Sequence, residues 1–111
     1  MDNFSINWYQ EALDEYNNLD GSQRTIVDKG LKRIKTLGMQ TGEPLHGELE
    51  GCRKLKYRRL GIRIVFKQSS EGITIINIVT IGIRKSLNVY TATAVRLGVS
   101  ERPKRKRKGK S

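Results

Sequence analysis

The sequence predicts an α+β domain in which two N-terminal helices pack on a small antiparallel β-sheet, in the order β-α-α-β-β-β-α. Three observations predict it. Apolar residues recur at helical spacing between Tyr9 and Leu37. Three strand-like runs then follow one another between Cys52 and Ile81. A last helical stripe lies between Ser86 and Leu97, ahead of a strongly basic run.

Phe4 to Trp8 alternates weakly and reads as a first strand. Tyr9, Ala12, Leu13, Tyr16 and Leu19 then follow the i, i+3, i+4, i+7 spacing of an amphipathic helix. Asn17, Asn18, Asp20 and Gly21 interrupt it, and Ser22 is the expected N-cap of a second helix. Val27, Leu31 and Ile34 form the stripe of that helix, and Gly38 stands where a C-cap glycine belongs. Lys29, Lys32, Arg33 and Lys35 read as its solvated face. Residues 39–51 carry Gly42, Pro44, Gly47 and Gly51 and read as loop. Strands are expected at 52–58, 62–68 and 73–81. The run Ile73–Ile81 is almost entirely β-branched, which predicts a central strand covered on both faces. Leu87, Tyr90, Ala94 and Leu97 share one helical stripe, giving a helix over 86–97 that Gly98 ends.

At 111 residues the chain supports one domain with one core, expected over 1–98. The net charge is +11, which favours phosphate-bearing or acidic partners. Seven of the 22 cations and one of the 11 anions fall in 101–111, leaving +5 over the rest. Residues 99–111 therefore read as a disordered basic tail. No run of 18 apolar residues occurs, and Met1–Ser5 does not open a signal peptide. A cytoplasmic protein without a membrane partner is expected, consistent with a single cysteine, Cys52. One Cys and one His, His46, do not make a zinc site, and neither metal nor cofactor is expected.

The stretch Arg53–Phe66 carries the functional signal. With Leu60-Gly61 as a two-residue turn, Arg58 faces Arg63, Tyr57 faces Ile64, Lys56 faces Val65 and Lys54 faces Lys67. Leu55, Tyr57, Ile62, Ile64 and Phe66 then share one face, and Lys54, Lys56, Arg58, Arg63, Val65 and Lys67 the other. A four-residue loop gives the same split. Carried across Ser69–Gly72, the same parity continues the cationic face through Ile76, Ile78 and Thr80 and brings Arg84 onto it. So many cations side by side oppose folding unless a polyanion meets them.

The segment from Leu45 to Arg96 resembles the RelE/ParE superfamily of toxins from type II toxin–antitoxin pairs, above all its RelE-type mRNA interferase branch. The shared pieces are Leu45-x-Gly47-x-Leu49-x-Gly51, Lys54-x-Lys56, Gly61-x-Arg63 followed by Ile64, Val65 and Phe66, Ile81-Gly82-x-Arg84, and Val89-Tyr90. The resemblance implies a RelE-like fold, an endoribonuclease that cuts mRNA in the ribosomal A site, and a cognate antitoxin as partner. It implies Lys54, Lys56, Arg63, Arg84 and Tyr90 as the catalytic set. The chemistry it implies is attack by the ribose 2′-OH on the adjacent phosphate, without metal, giving 2′,3′-cyclic phosphate and 5′-OH ends. In that scheme Lys54 is the base, Lys56 and Arg63 hold the phosphate, and Arg84 serves the leaving oxygen. Tyr90 stacks on a base or orients the 2′-OH.

Arg58 and Lys67 are expected RNA-backbone contacts. Arg102, Lys104, Arg105, Lys106 and Arg107 are expected to bind ribosomal RNA electrostatically. No histidine or carboxylate is expected near the reacting phosphate. His46 is expected to pack in its loop, and Cys52, Trp8 and Tyr16 to be structural. Two alternatives stay open: a ParE-like DNA gyrase inhibitor without nuclease activity, and a non-catalytic RNA-binding module.

Overall fold

The structure is a computed structural model that describes residues 2–83 and 89–98. Its elements are β1 (Ser5–Trp8), α1 (Gln10–Asn17), α2 (Gly21–Leu37), β2 (Glu43–Pro44), β3 (Cys52–Tyr57), β4 (Ile62–Gln68), β5 (Ile75–Gly82) and α3 (Val89–Leu97). One sheet runs β1-β5-β4-β3-β2. The α+β class and the order of the main elements are as the sequence predicts. The sheet is mixed rather than antiparallel throughout, because β1 pairs with β5 in parallel. Glu43–Pro44, read as loop, adds a short edge strand on Arg53 and Lys54.

α1 and α2 cover one face of the sheet. Ala12, Val27, Leu31 and Ile34 meet Leu55, Ile62, Ile64, Phe66, Ile76 and Ile78 there in the main core. α2 begins not at Ser22 but at Asp20, whose carboxylate accepts Gln23 N–H at 2.8 Å while the Gln23 side chain accepts Asp20 N–H at 3.0 Å. This reciprocal pair satisfies two orphan donors of the first turn, whereas the Ser22 hydroxyl only donates to Asp20. Gly38 is the C-cap, as expected. Trp8 and Tyr16 pack with their rings tilted and 5.3 Å between centres beside this core, in the structural role the sequence suggested.

The β3–β4 hairpin closes with a four-residue loop, pairing Tyr57 with Ile62, Lys56 with Arg63 and Lys54 with Val65. The register differs by two from the two-residue-turn pairing, so the division of faces survives. Leu60 and Gly61 both take left-handed φ, 63° and 62°. Between β4 and β5 the parity does change. Val65 pairs with Thr80 but Phe66 with Ile78, so Val79 is an extra, bulged residue. Ile76 and Ile78 therefore turn into the helix-covered core instead of extending the cationic face, while Thr80 and Gly82 stay on it. β5 is buried over most of its length, as its composition predicted.

α3 lies on the opposite face from α1 and α2. Val89, Tyr90 and Leu97 pack on Cys52 and Val65, and Thr93 hydrogen-bonds Thr80 at 2.8 Å with both residues buried. Its far end is clamped to the edge of β5. β1 stops at Trp8, leaving that edge without a strand beyond Ile78. Glu15 of α1 accepts Ile81 N–H at 3.0 Å, and Arg96 of α3 donates to Val79 C=O at 2.9 Å. The two side chains also form a bidentate ion pair at 2.9 and 2.7 Å. An ion pair thus does the hydrogen bonding that a continued strand would have done.

Candidate active site

The cationic face is organised in cross-strand rows. The outermost row is Lys56, Arg63 and Gly82, and the next is Lys54, Val65 and Thr80. Cys52, Lys67 and Asn77 form a third. α3 lands on Cys52, Val65 and Thr80, so among the described residues the Lys54–Lys56–Arg63 corner lies beside the helix rather than beneath it. Gly82 contributes no side chain to its row, so nothing from β5 screens Arg63 there. Lys56 is exposed, and Arg63 is half-buried with Nη1 donating to Gly61 C=O at 3.3 Å.

Tyr90 reaches this corner from α3. Lys54 Nζ donates to Tyr90 Oη at 3.2 Å and lies 5.4 Å from the ring centroid. This is the contact that joins residues 36 positions apart, and it matches two members of the predicted set. Lys54 and Lys56 are two residues apart on one strand face, about 7 Å along it.

One carboxylate is also present, contrary to expectation. Glu43 Oε1 stands 3.7 Å from Lys54 Nζ. The local chain explains it. Arg53, projecting from the other face of β3, donates to Thr41 C=O at 2.9 Å and Gly42 C=O at 2.7 Å. Gly42 has φ +82°, and a Cβ there would come 2.5 Å from Lys54 C=O. Only glycine allows that approach, and it sets Glu43 directly opposite Lys54. A sequence signal existed in Gly42-Glu43-Pro44, two turn formers around an acid, but β2 could not be read from two residues.

The remaining predicted residues divide. Arg58 is not on the strand face; it opens the loop between β3 and β4. Lys67 is on the correct face, but four residues along β4 from Arg63, about 13 Å, with the α3 contact between them. Arg84, Arg102, Lys104, Arg105, Lys106 and Arg107 lie outside the described residues. His46 is exposed, and only its backbone carbonyl serves the loop, accepting Leu49 N–H at 3.2 Å. Cys52 is buried beneath α3, and that burial pushes its thiol pKa up, partly offset by Lys67. No helix among the described residues is long and apolar enough to cross a membrane.

A five-stranded mixed sheet with two helices on one face and a third on the other is the fold seen in solved RelE toxin structures. The free-state structure of an E. coli RelE toxin carrying two arginine-to-alanine substitutions superposes with TM-score 0.68 at 23% identity, covering 87% of this chain and 99% of that one. The intact E. coli RelBE toxin–antitoxin complex gives 0.62 at 22% identity, covering 75% and 99%. The RelBE2 complex from Mycobacterium tuberculosis gives 0.61 at 17% identity, covering 73% and 98%. No protein-family model and no curated protein matches the chain by sequence.

Proposed function

We propose that this chain is the toxin of a toxin–antitoxin pair and an endoribonuclease that cuts mRNA on the ribosome. The observation that supports it most is the Lys54–Tyr90 contact beside the Lys56–Arg63 row, at the corner of the cationic face that lies beside α3. The solved relatives include RelE bound to its antitoxin, which supports a protein partner of that kind here.

RNA supplies its own nucleophile. A base takes the 2′-OH proton, the 2′-oxygen attacks phosphorus, and the P–O5′ bond breaks. The 5′-oxygen then gains a proton, leaving a 2′,3′-cyclic phosphate and a 5′-OH. Arg63 can grip two phosphate oxygens in a fork, and Lys56 adds a mobile point charge to the phosphorane. Arg84 remains the proposed partner of the leaving oxygen. Tyr90, held by Lys54, is placed to meet the ribose or its base. Lys54 is the proposed base, acting once it has lost a proton. Glu43 introduces a second acceptor, because a 2′-OH beside Lys54 Nζ is also within a few ångströms of its carboxylate.

The test is single-turnover cleavage of mRNA on purified ribosomes, with the 5′ ends mapped and the 3′ ends analysed for cyclic phosphate. Lys54→Ala and Arg63→Ala should each slow cutting by about 10²-fold or more. Lys54→Arg should be as slow as Lys54→Ala if Lys54 is the base. If Glu43→Gln slows cutting as much as Lys54→Ala while Lys54→Arg cuts like the wild-type chain, Glu43 is the base instead. Intact messages with the wild-type chain, alongside gyrase-dependent DNA damage, would overturn the nuclease reading in favour of a ParE-like one.

A further inference from the structure

Arg33 belongs by its spacing to the solvated cationic face of α2, but the fold separates it from Lys29, Lys32 and Lys35. β2 spans two residues and leaves the outer edge of β3 uncovered beyond Lys54. A cleft of about 480 Å³ opens at that edge, lined by Arg33, Gly42, Glu43, Lys54, Lys56 and Arg58 together with Leu55. Its lining brings cations from three places: α2, β3 and the β3–β4 loop. Four are cations and one is an anion among these described lining residues. The backbone adds to this. Cys52 C=O accepts from Leu45 on the β2 side, so alternation along β3 aims the Lys56 N–H at the same outer edge.

Two of the four cations, Lys54 and Lys56, also belong to the candidate cleavage corner. The cleft is therefore continuous with that corner and runs from it around the sheet edge towards α2. Four cations against one carboxylate suit an extended polyanion, which can meet them in succession. We infer that this cleft binds the phosphodiester immediately flanking the scissile one, with Arg33 and Arg58 as its charged grips and Lys54 and Lys56 shared between the two phosphates. This rests on the ribonuclease reading and extends it: the site holds the RNA backbone at two consecutive phosphates, one cut and one anchored. Arg33 and Arg58 act here in binding rather than in bond breaking.

The experiment uses the full chain and ribosomes programmed with a synthetic message. Arg33→Ala should raise the protein concentration giving half-maximal cleavage about five- to tenfold, leave the maximal single-turnover rate unchanged, and lower the salt dependence by about one ion equivalent. Lys32→Ala, one position earlier on α2 and outside the cleft, should change none of these. A message with one neutral methylphosphonate next to the cut should weaken the wild-type chain at least as much as Arg33→Ala does, and should weaken Arg33→Ala by less than it weakens the wild-type chain. If Arg33→Ala cuts like wild type at every protein concentration, the cleft is not a phosphate site. If Arg33→Ala is weakened but still pays the full methylphosphonate penalty, Arg33 touches ribosomal RNA and the inference is likewise wrong. If the wild-type chain itself does not cut, the ribonuclease reading fails first, a result distinguishable from both.

Discussion

Removing Arg96 tests how α3, and with it Tyr90, is held in place. Arg96 makes three hydrogen bonds: two to Glu15, at 2.9 and 2.7 Å, and one to Val79 C=O at 2.9 Å. Its side chain is 14% exposed and that of Glu15 31%. Arg96→Ala leaves the Val79 carbonyl without its donor and the Glu15 carboxylate with Ile81 N–H as its remaining partner of those described. Hydrogen bonds to charged groups contribute about 1.5–3 kcal/mol each, and breaking a fully buried pair costs about 3–5 kcal/mol. Water still reaches part of Glu15, so the expected loss is about 2–4 kcal/mol. Glu15→Ala should cost a similar amount, since it leaves Arg96 with Val79 C=O as its remaining partner of those described and takes the acceptor from Ile81 N–H. The double variant should cost well under the sum, giving a coupling of about 1.5–3 kcal/mol. Urea unfolding followed by circular dichroism measures all four corners of the cycle, with unchanged m-values showing that the comparison is sound. Arg96→Ala should also weaken the Lys54–Tyr90 contact six residues away along α3, seen as faster hydrogen exchange across that helix. Strictly additive single losses, or a coupling below about 0.5 kcal/mol, would refute the idea that this ion pair replaces a strand at the edge of β5.

Other expectations follow from single residues. Leu60 holds a left-handed φ of 63° in a residue that is 38% exposed, so Leu60→Gly should relieve about 1–2 kcal/mol of backbone strain. Set against the extra freedom glycine gains on unfolding, a net gain of about 0.5–1 kcal/mol in urea unfolding is expected. Glu43→Gln should leave the fold unchanged while slowing cleavage less than Lys54→Ala does, and Arg53→Met should do the same indirectly by releasing the Thr41 and Gly42 carbonyls. The Cys52 thiol, raised by burial, stays protonated in the folded chain where the unfolded one would ionise. Its stability contribution is complete below the ordinary thiol pKa and is lost as pH rises above it, so Cys52→Ala should flatten the alkaline side of the stability profile. The folded chain should also resist thiol reagents until it unfolds. Asp20, lowered first by the Gln23 N–H bond and then by Ser22, behaves in the opposite sense. Its contribution is present above the ordinary aspartate pKa and is lost on acidification below it, a limb that Asp20→Asn should remove.

The legible features and the hidden ones differ in physical kind. Helical stripes and strand alternation are local, so α1, α2, β3, β4 and β5 could be placed from residue spacing alone. The faces of the β3–β4 hairpin were legible for a further reason: two- and four-residue loops differ by an even number of residues, and parity survives the change. The side of β5 was not legible, because one bulged residue, Val79, reverses parity and no spacing rule announces it. The cap of α2 went to Asp20 rather than Ser22 because Gln23 completes a reciprocal pair, a choice made by geometry between two good cap residues. Glu43 escaped notice because its position opposite Lys54 depends on a glycine approach and an arginine reaching from the other face.

The sequence by itself determined that a row of lysines and arginines would stand on one sheet face with a core behind it, since alternation and charge are written residue by residue. Tertiary structure alone decided which of those cations are grouped together. α3 covers Cys52, Val65 and Thr80, so Lys67 is set apart while Lys54, Lys56 and Arg63 lie beside the helix and Tyr90 joins them. The end of β2 and the packing of α2 likewise turn Arg33 from a surface charge into the wall of a cleft. Such outcomes depend on where distant segments come to rest, and a helix landing on one valine is enough to divide a uniform basic face into a grouped corner and a lysine set apart from it.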